Sequence, residues 1–229
     1  MTEENLTTDT AQDAPPPPPQ QEEASPLRLV LTLGIAGALA GFLIVFVYVA
    51  TLPIITANKA AELREAIQLV LGAPDQFDTL FVVDGELREE LDAGQAPEDF
   101  DQIYPGYRDD GTQIGYAIQA AEFGFQDVVR LIFGYDAETQ EILGMLVLEH
   151  KETPGLGDKI VKDLAFVGQF VETTTPVAGV KVGAGTGAEN EIDMITGATI
   201  SSRAVIRIIN NALERLNPMI DAYSGGGSR

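Results

Sequence analysis

Asp193-Met194-Ile195-Thr196-Gly197-Ala198-Thr199 ends in a hydroxyl, and an amphipathic run begins at the next residue. Ile200, Ala204, Val205, Ile208, Ile209, Ala212, Leu213 and Leu216 recur there at helical spacing, interleaved with Arg203, Arg207, Asn210, Asn211 and Arg215. The pattern predicts a long closing helix that ends near Asn217-Pro218. A helix N-terminus offers unpaired N–H groups and partial positive charge, which suits a phosphate. Gly197 and Ala198 are small enough to let a bulky group approach the backbone. A plain helix cap is the simpler reading of Thr199.

Upstream, Gly183-Ala184-Gly185-Thr186-Gly187 has the wrong spacing for a dinucleotide fingerprint and reads as a glycine-rich loop. Glu152-Thr153-Pro154-Gly155-Leu156-Gly157 reads as a loop leaving a strand, able to bring N–H groups near a ligand. Three strands are predicted before it, at Gln113–Ala120, Val128–Tyr135 and Glu141–Glu149, with a tight connection at Asp136-Ala137-Glu138-Thr139. A short strand is expected at Leu80–Val83, turning at Asp84-Gly85, and a long acidic loop from there to Asp110. The fold class is therefore α+β, an antiparallel sheet with flanking helices.

Leu27 to Leu52 is almost wholly apolar and long enough to cross a hydrocarbon core of roughly 30 Å. It reads as a permanent transmembrane helix, with Gly37-Ala38-Leu39-Ala40-Gly41 offering a small-xxx-small packing pattern. A helix over Thr56–Leu71, stopped by Gly72-Ala73-Pro74, extends it beyond a hinge at Pro53. Residues 1–26 are acidic and proline-rich and read as a disordered tail; 219–229 read as a flexible terminus. Between them lie 53–110, a helix and acidic linker, and 111–218, the ligand-binding domain. Arg28 before the span and Lys59 and Arg64 after it lean weakly toward a cytoplasmic C-terminal domain.

With 35 Asp and Glu against 14 Lys and Arg, the net charge of −21 disfavours a nucleic-acid partner. The lack of cysteine removes disulfides and cysteine-ligated clusters, and the single His150 cannot build a multi-histidine metal site. His150 reads more simply as a polar residue at a strand end.

His150-Lys151-Glu152-Thr153-Pro154-Gly155-Leu156-Gly157-Asp158-Lys159, followed by Asp193-Met194-Ile195-Thr196-Gly197-Ala198-Thr199, resembles the G subunit of the Rnf electron-transport complex. The C subunit of the sodium-pumping NADH:quinone reductase is a close relative of that family. The resemblance implies that a flavin transferase attaches FMN through its phosphate to Thr199, within a motif formed by Asp193, Thr196, Gly197 and Ala198. It further implies that Glu152, Thr153, Gly155, Leu156 and Gly157 line the ring or its ribityl chain. Where the family carries a tryptophan downstream of that loop, this chain offers Phe166.

By the same resemblance the chain relays electrons in a complex coupling ferredoxin and NAD redox chemistry to Na+ or H+ movement. Its partners would be membrane and iron–sulfur subunits. Its place would be the bacterial inner membrane, with the N-terminus cytoplasmic and the flavin domain extracytoplasmic, against the weak charge count. Two alternatives stand beside it. One is a quinone-reductase subunit or stand-alone flavin carrier; the other is an anchored scaffold in which the TGAT motif only caps a helix.

Overall fold

The structure, a computed structural model, describes residues 25–226. The readings of 1–24 and of 227–229 as tails lie outside the described residues. Helix α1 runs from Pro26 to Val70 with Pro53 inside it. Up to Thr56 it belongs to a unit of its own, with apolar side chains such as Phe42 and Val45 exposed. It is the one helix among the described residues long and apolar enough to cross a membrane.

The second unit begins at Ala57. Helix α1 ends there in a reversal in which the Ala73 N–H donates to Gln68 O at 2.7 Å, with Gly72 and Ala73 both at positive φ. The strands follow: β1 (Gln76–Phe77), β2 (Leu80–Val83), β3 (Glu86–Arg88), β4 (Gln102–Tyr107), β5 (Gln113–Phe123), β6 (Val128–Asp136) and β7 (Glu141–Glu149). Next come the short helices α2 (Lys159–Lys162) and α3 (Leu164–Gly168), then β8 (Thr173–Thr174), β9 (Ala178–Lys181) and β10 (Glu191–Met194). Helix α4 (Thr199–Gly226) closes the fold.

The main sheet is antiparallel, in the order β3-β2-β4-β5-β6-β7-β8, with β1 also paired to β4. Alternate side chains of a strand face opposite ways, and here both faces are covered. Tyr116, Ile118, Leu131 and Phe133 pack toward α4, whose Val205, Ile208, Ile209, Leu213 and Leu216 join the same core. Between them in sequence, Ala117 and Ile132 pack toward Ala66, Ile67 and Val70 at the end of α1. Each such buried aliphatic side chain contributes about 1.5–3 kcal/mol. Two-sided burial explains why β6 reads as a continuous apolar run.

Several sequence expectations are corrected. The long loop up to Asp110 contains β3 and β4. Strand β4 contains Pro105 and Gly106, and a Cβ at 106 would lie 2.6 Å from Leu71 Cδ1 and 3.2 Å from Pro74 Cβ, so the glycine lets the turn after α1 pack close against the strand. Helix α4 does not stop at Pro218, because Ile220 beyond it is 1 % exposed and Tyr223 packs against the core, which outweighs one lost backbone bond. Short β9 and β10 form a parallel pair, from Glu191 opposite Ala178 to Met194 opposite Lys181.

The close approach of α1 to the sheet yields a test. A Cβ at Gly134 would collide with the Val70 carbonyl, whereas one at Gly168 would meet nothing within 4 Å. Gly134→Ala should cost about 1–3 kcal/mol in urea unfolding of the detergent-solubilised protein. Gly168→Ala should be neutral or mildly stabilising; equal behaviour of the two would contradict this packing.

Candidate functional site

The seven-residue motif spans three local structures. Asp193 lies in β10 with its side chain exposed, while its N–H donates to Gln169 Oε1 at 2.7 Å. Ile195 to Ala198 form a tight turn closed by the Ala198 N–H to Ile195 O at 3.0 Å, with Gly197 at φ +83. Only glycine adopts that conformation without strain. Thr199 is the first helical residue, and the first helical bond of α4 runs from the Ser202 N–H to Ala198 O at 2.9 Å.

The hydroxyls of this turn are divided between tasks. Ser202, fully buried, accepts from the Ile195 N–H at 3.1 Å and donates to Ala198 O at 3.0 Å. Ser201, 3 % exposed, donates to Glu152 Oε2 at 2.6 Å. Thr199 is half-buried and its hydroxyl makes no hydrogen bond among the described residues. Ser202 thus ties the turn to the first turn of α4, and the Thr199 hydroxyl is left over.

Glu152 is the centre of the surrounding structure. Its buried carboxylate accepts from the Phe125 N–H at 2.8 Å and the Gln126 N–H at 3.2 Å through Oε1, and from Ser201 through Oε2. Room for it is made by two glycines. A Cβ at Gly157 would sit 2.7 Å from Oε2, and one at Gly124 would collide with Oε1. The carboxylate thereby joins the β5–β6 turn, the 152–157 loop and the first turn of α4. Two further contacts reinforce the first junction: Lys151 Nζ to Asp127 Oδ2 at 2.7 Å, and the Thr153 hydroxyl to Gln126 Oε1 at 3.2 Å.

These three segments enclose a cleft of about 300 Å³ lined by Phe125, Thr153, Leu156, Gly157, Gly197, Ala198, Thr199, Ile200 and Ser201. Phe125, Leu156 and Ile200 are 62 %, 50 % and 55 % exposed, so the rim offers apolar surface of the kind a flat aromatic ring covers. The open hydroxyl at the head of a 28-residue helix suits an esterified phosphate. The residues present therefore fit an FMN joined through its phosphate.

Of the residues singled out from sequence, the structure brings together Thr153, Leu156, Gly157, Gly197, Ala198 and Thr199 around this cleft. Glu152, Gly155, Asp193 and Thr196 lie outside its lining. The Glu152 N–H donates to His150 Nδ1 at 3.3 Å. Phe166 is buried in the core, edge-on to Phe170 at a centroid distance of 5.3 Å, and not at the rim. Ile200, expected on the core face of α4, turns to the cleft. Phe125 and Ser201 were not anticipated; a phenylalanine within the turn Gly124-Phe125-Gln126-Asp127 is the signal that could have found the former.

Residues 124–214 match the FMN-binding domain family. The G subunit of the ion-translocating oxidoreductase complex of Cereibacter sphaeroides is 31% identical over 215 residues, covering 91% of this chain and 92% of that protein. The protein of the same description from Methanosarcina acetivorans is 27% identical over 190 residues, covering 82% and 92%. Among solved structures, NqrC of Shewanella oneidensis is similar in fold, with a TM-score of 0.61 at 17% identity, covering 72% of this chain and 99% of that one.

Next to the cleft, the Lys162 ammonium 2.6 Å from Asp158 Oδ2 holds that carboxyl below the usual carboxylate range. The pair's contribution is complete above the unfolded carboxyl's value near ~3.9 and is lost as pH falls through the lower folded value. Urea unfolding at about pH 5 and about pH 3 should show a smaller acid-induced loss in Asp158→Asn than in the wild type. Ser202→Ala should cost about 1–3 kcal/mol by stranding the Ile195 N–H, read by the same unfolding assay.

Proposed function

Because the chain belongs to the family of G subunits of ion-translocating oxidoreductase complexes, we propose that it is an electron-carrying flavoprotein component of such a complex, with FMN joined to Thr199 by a phosphodiester. The FMN-binding domain match over 124–214 supports the cofactor. One observation carries the acceptor: of the hydroxyls lining the cleft, those of Thr153 and Ser201 are engaged, and Thr199 alone is free among the described residues.

In attachment, Thr199 Oγ1 forms a bond to the FMN phosphorus and gives up its proton to a base of the flavin transferase. A phosphate monoester would have to expel hydroxide, so the donor is an FMN phosphoanhydride of the FAD type. Its anhydride P–O bond breaks, AMP leaves, and no electron moves. Once bound, the flavin supplies the redox chemistry at its ring. The chain's own part is to hold the phosphodiester at the positive end of α4 and to offer Phe125, Leu156 and Ile200 as apolar contacts.

In this reading α1 crosses the membrane with the N-terminus cytoplasmic, and residues 111–218 act outside as the flavin domain. The partners are membrane and iron–sulfur subunits of the complex, and the ferredoxin and NAD chemistry drives Na+ or H+ translocation. Helix α1 supports the membrane span and the homologues' membership of such complexes supports the partner subunits, while the orientation rests on the family resemblance.

Protein from a host containing the transferase should give a fluorescent flavin band on a denaturing gel. Thr199→Val should be dark and Thr199→Ser should keep part of the signal, because a hydroxyl remains. A dark wild-type band would favour the scaffold alternative. Mass spectrometry that found FMN on the motif peptide of the Thr199→Val variant would overturn the acceptor. External protease should digest the flavin domain in intact spheroplasts; protection would overturn the orientation.

A further inference from the structure

The geometry points to Glu152 as a positioning residue for flavin attachment: it does not line the ring, but fixes the turn of α4 that presents the Thr199 hydroxyl. This rests on the reading of Thr199 as acceptor and goes beyond it. Glu152 is 4 % exposed and both its oxygens are spent, one on the Phe125 and Gln126 N–H groups and one on the Ser201 hydroxyl at 2.6 Å. A carboxylate so engaged has no face left for a flavin. Its three partners instead lie in the two segments that supply Phe125 and Thr199 to the cleft, while Glu152 itself opens the loop that supplies Leu156. Ser201 follows Thr199 by two residues in one helical turn, so holding Ser201 fixes the backbone from which the Thr199 side chain departs.

The glycines on either side point the same way. Gly124 and Gly157 leave space for the carboxylate and for nothing larger, so the three segments close onto Glu152 and not onto each other. Phosphoryl transfer needs an acceptor oxygen in line with the leaving group, and small misplacements of such an oxygen are costly in rate.

The test uses the full chain purified without flavin, FAD as donor and a purified flavin transferase, with FMN on the Thr199 peptide quantified by mass spectrometry over time. Glu152→Gln keeps an oxygen for the two N–H groups but no longer accepts the Ser201 proton. It should lower kcat for transfer by roughly 10- to 100-fold while leaving KM for the apoprotein little changed. Ser201→Ala, which leaves the carboxylate itself in place, should lower kcat in the same direction and serves if the first variant does not fold. Asp158→Asn, a second buried carboxylate of the same loop that bonds Lys162 and not the acceptor turn, should transfer FMN at the wild-type rate even if its melting temperature falls as far. Wild-type kcat in both Glu152→Gln and Ser201→Ala would overturn the positioning role, as would an equal loss in Asp158→Asn. A wild-type chain that never accepts FMN would instead overturn the acceptor reading.

Discussion

A buried carboxylate must be matched by donors, and Glu152 finds them in parts of the chain 26, 27 and 49 residues away. The site is built around that requirement. Were the carboxylate left without them, the desolvation of a charge would remain uncompensated, so the β5–β6 turn, the 152–157 loop and the head of α4 are drawn to one point. The sheet supplies a rigid floor, since β5 and β6 are packed on both faces and cannot shift without disturbing either core.

Around this point the hydroxyls take different roles according to depth. Ser202 and Ser201 are buried and satisfy backbone or carboxylate partners, whereas Thr199, higher on the same turn, has none among the described residues. A free hydroxyl beside two engaged ones is what a modification site requires: a reachable oxygen on a turn held rigid by its neighbours. The phosphate chemistry read from the helix N-terminus and the geometry of the cleft agree.

Much of this was legible in the sequence where one periodicity was strong. Strand β5 stood out through its partial alternation, β6 and β7 through their apolar runs, and α4 through its spacing. What failed has physical causes. Strand β4 was hidden because it contains Pro105 and Gly106, residues that ordinarily punctuate loops, and only tertiary structure shows that Leu71 and Pro74 press on the strand at Gly106. Pro218 looked like a stop, but the core contacts of Ile220 and Tyr223 hold the helix beyond it. The motif residues drew attention by type, yet sequence could not show that Glu152 looks inward to three donors, nor that Ile200 breaks the core stripe to face the cleft. Those are facts of tertiary contact, and local pattern does not encode them.

The central claim is a diester between the Thr199 oxygen and the FMN phosphorus, and phosphorus NMR of the denatured protein reads it directly. A phosphodiester lacks the second ionisation near pH ~6 that a phosphate monoester shows. The account predicts one protein-bound resonance whose shift stays constant between about pH 5 and about pH 8. A signal that titrates across that range and is lost on dialysis would contradict it, since FMN would then be held without a bond.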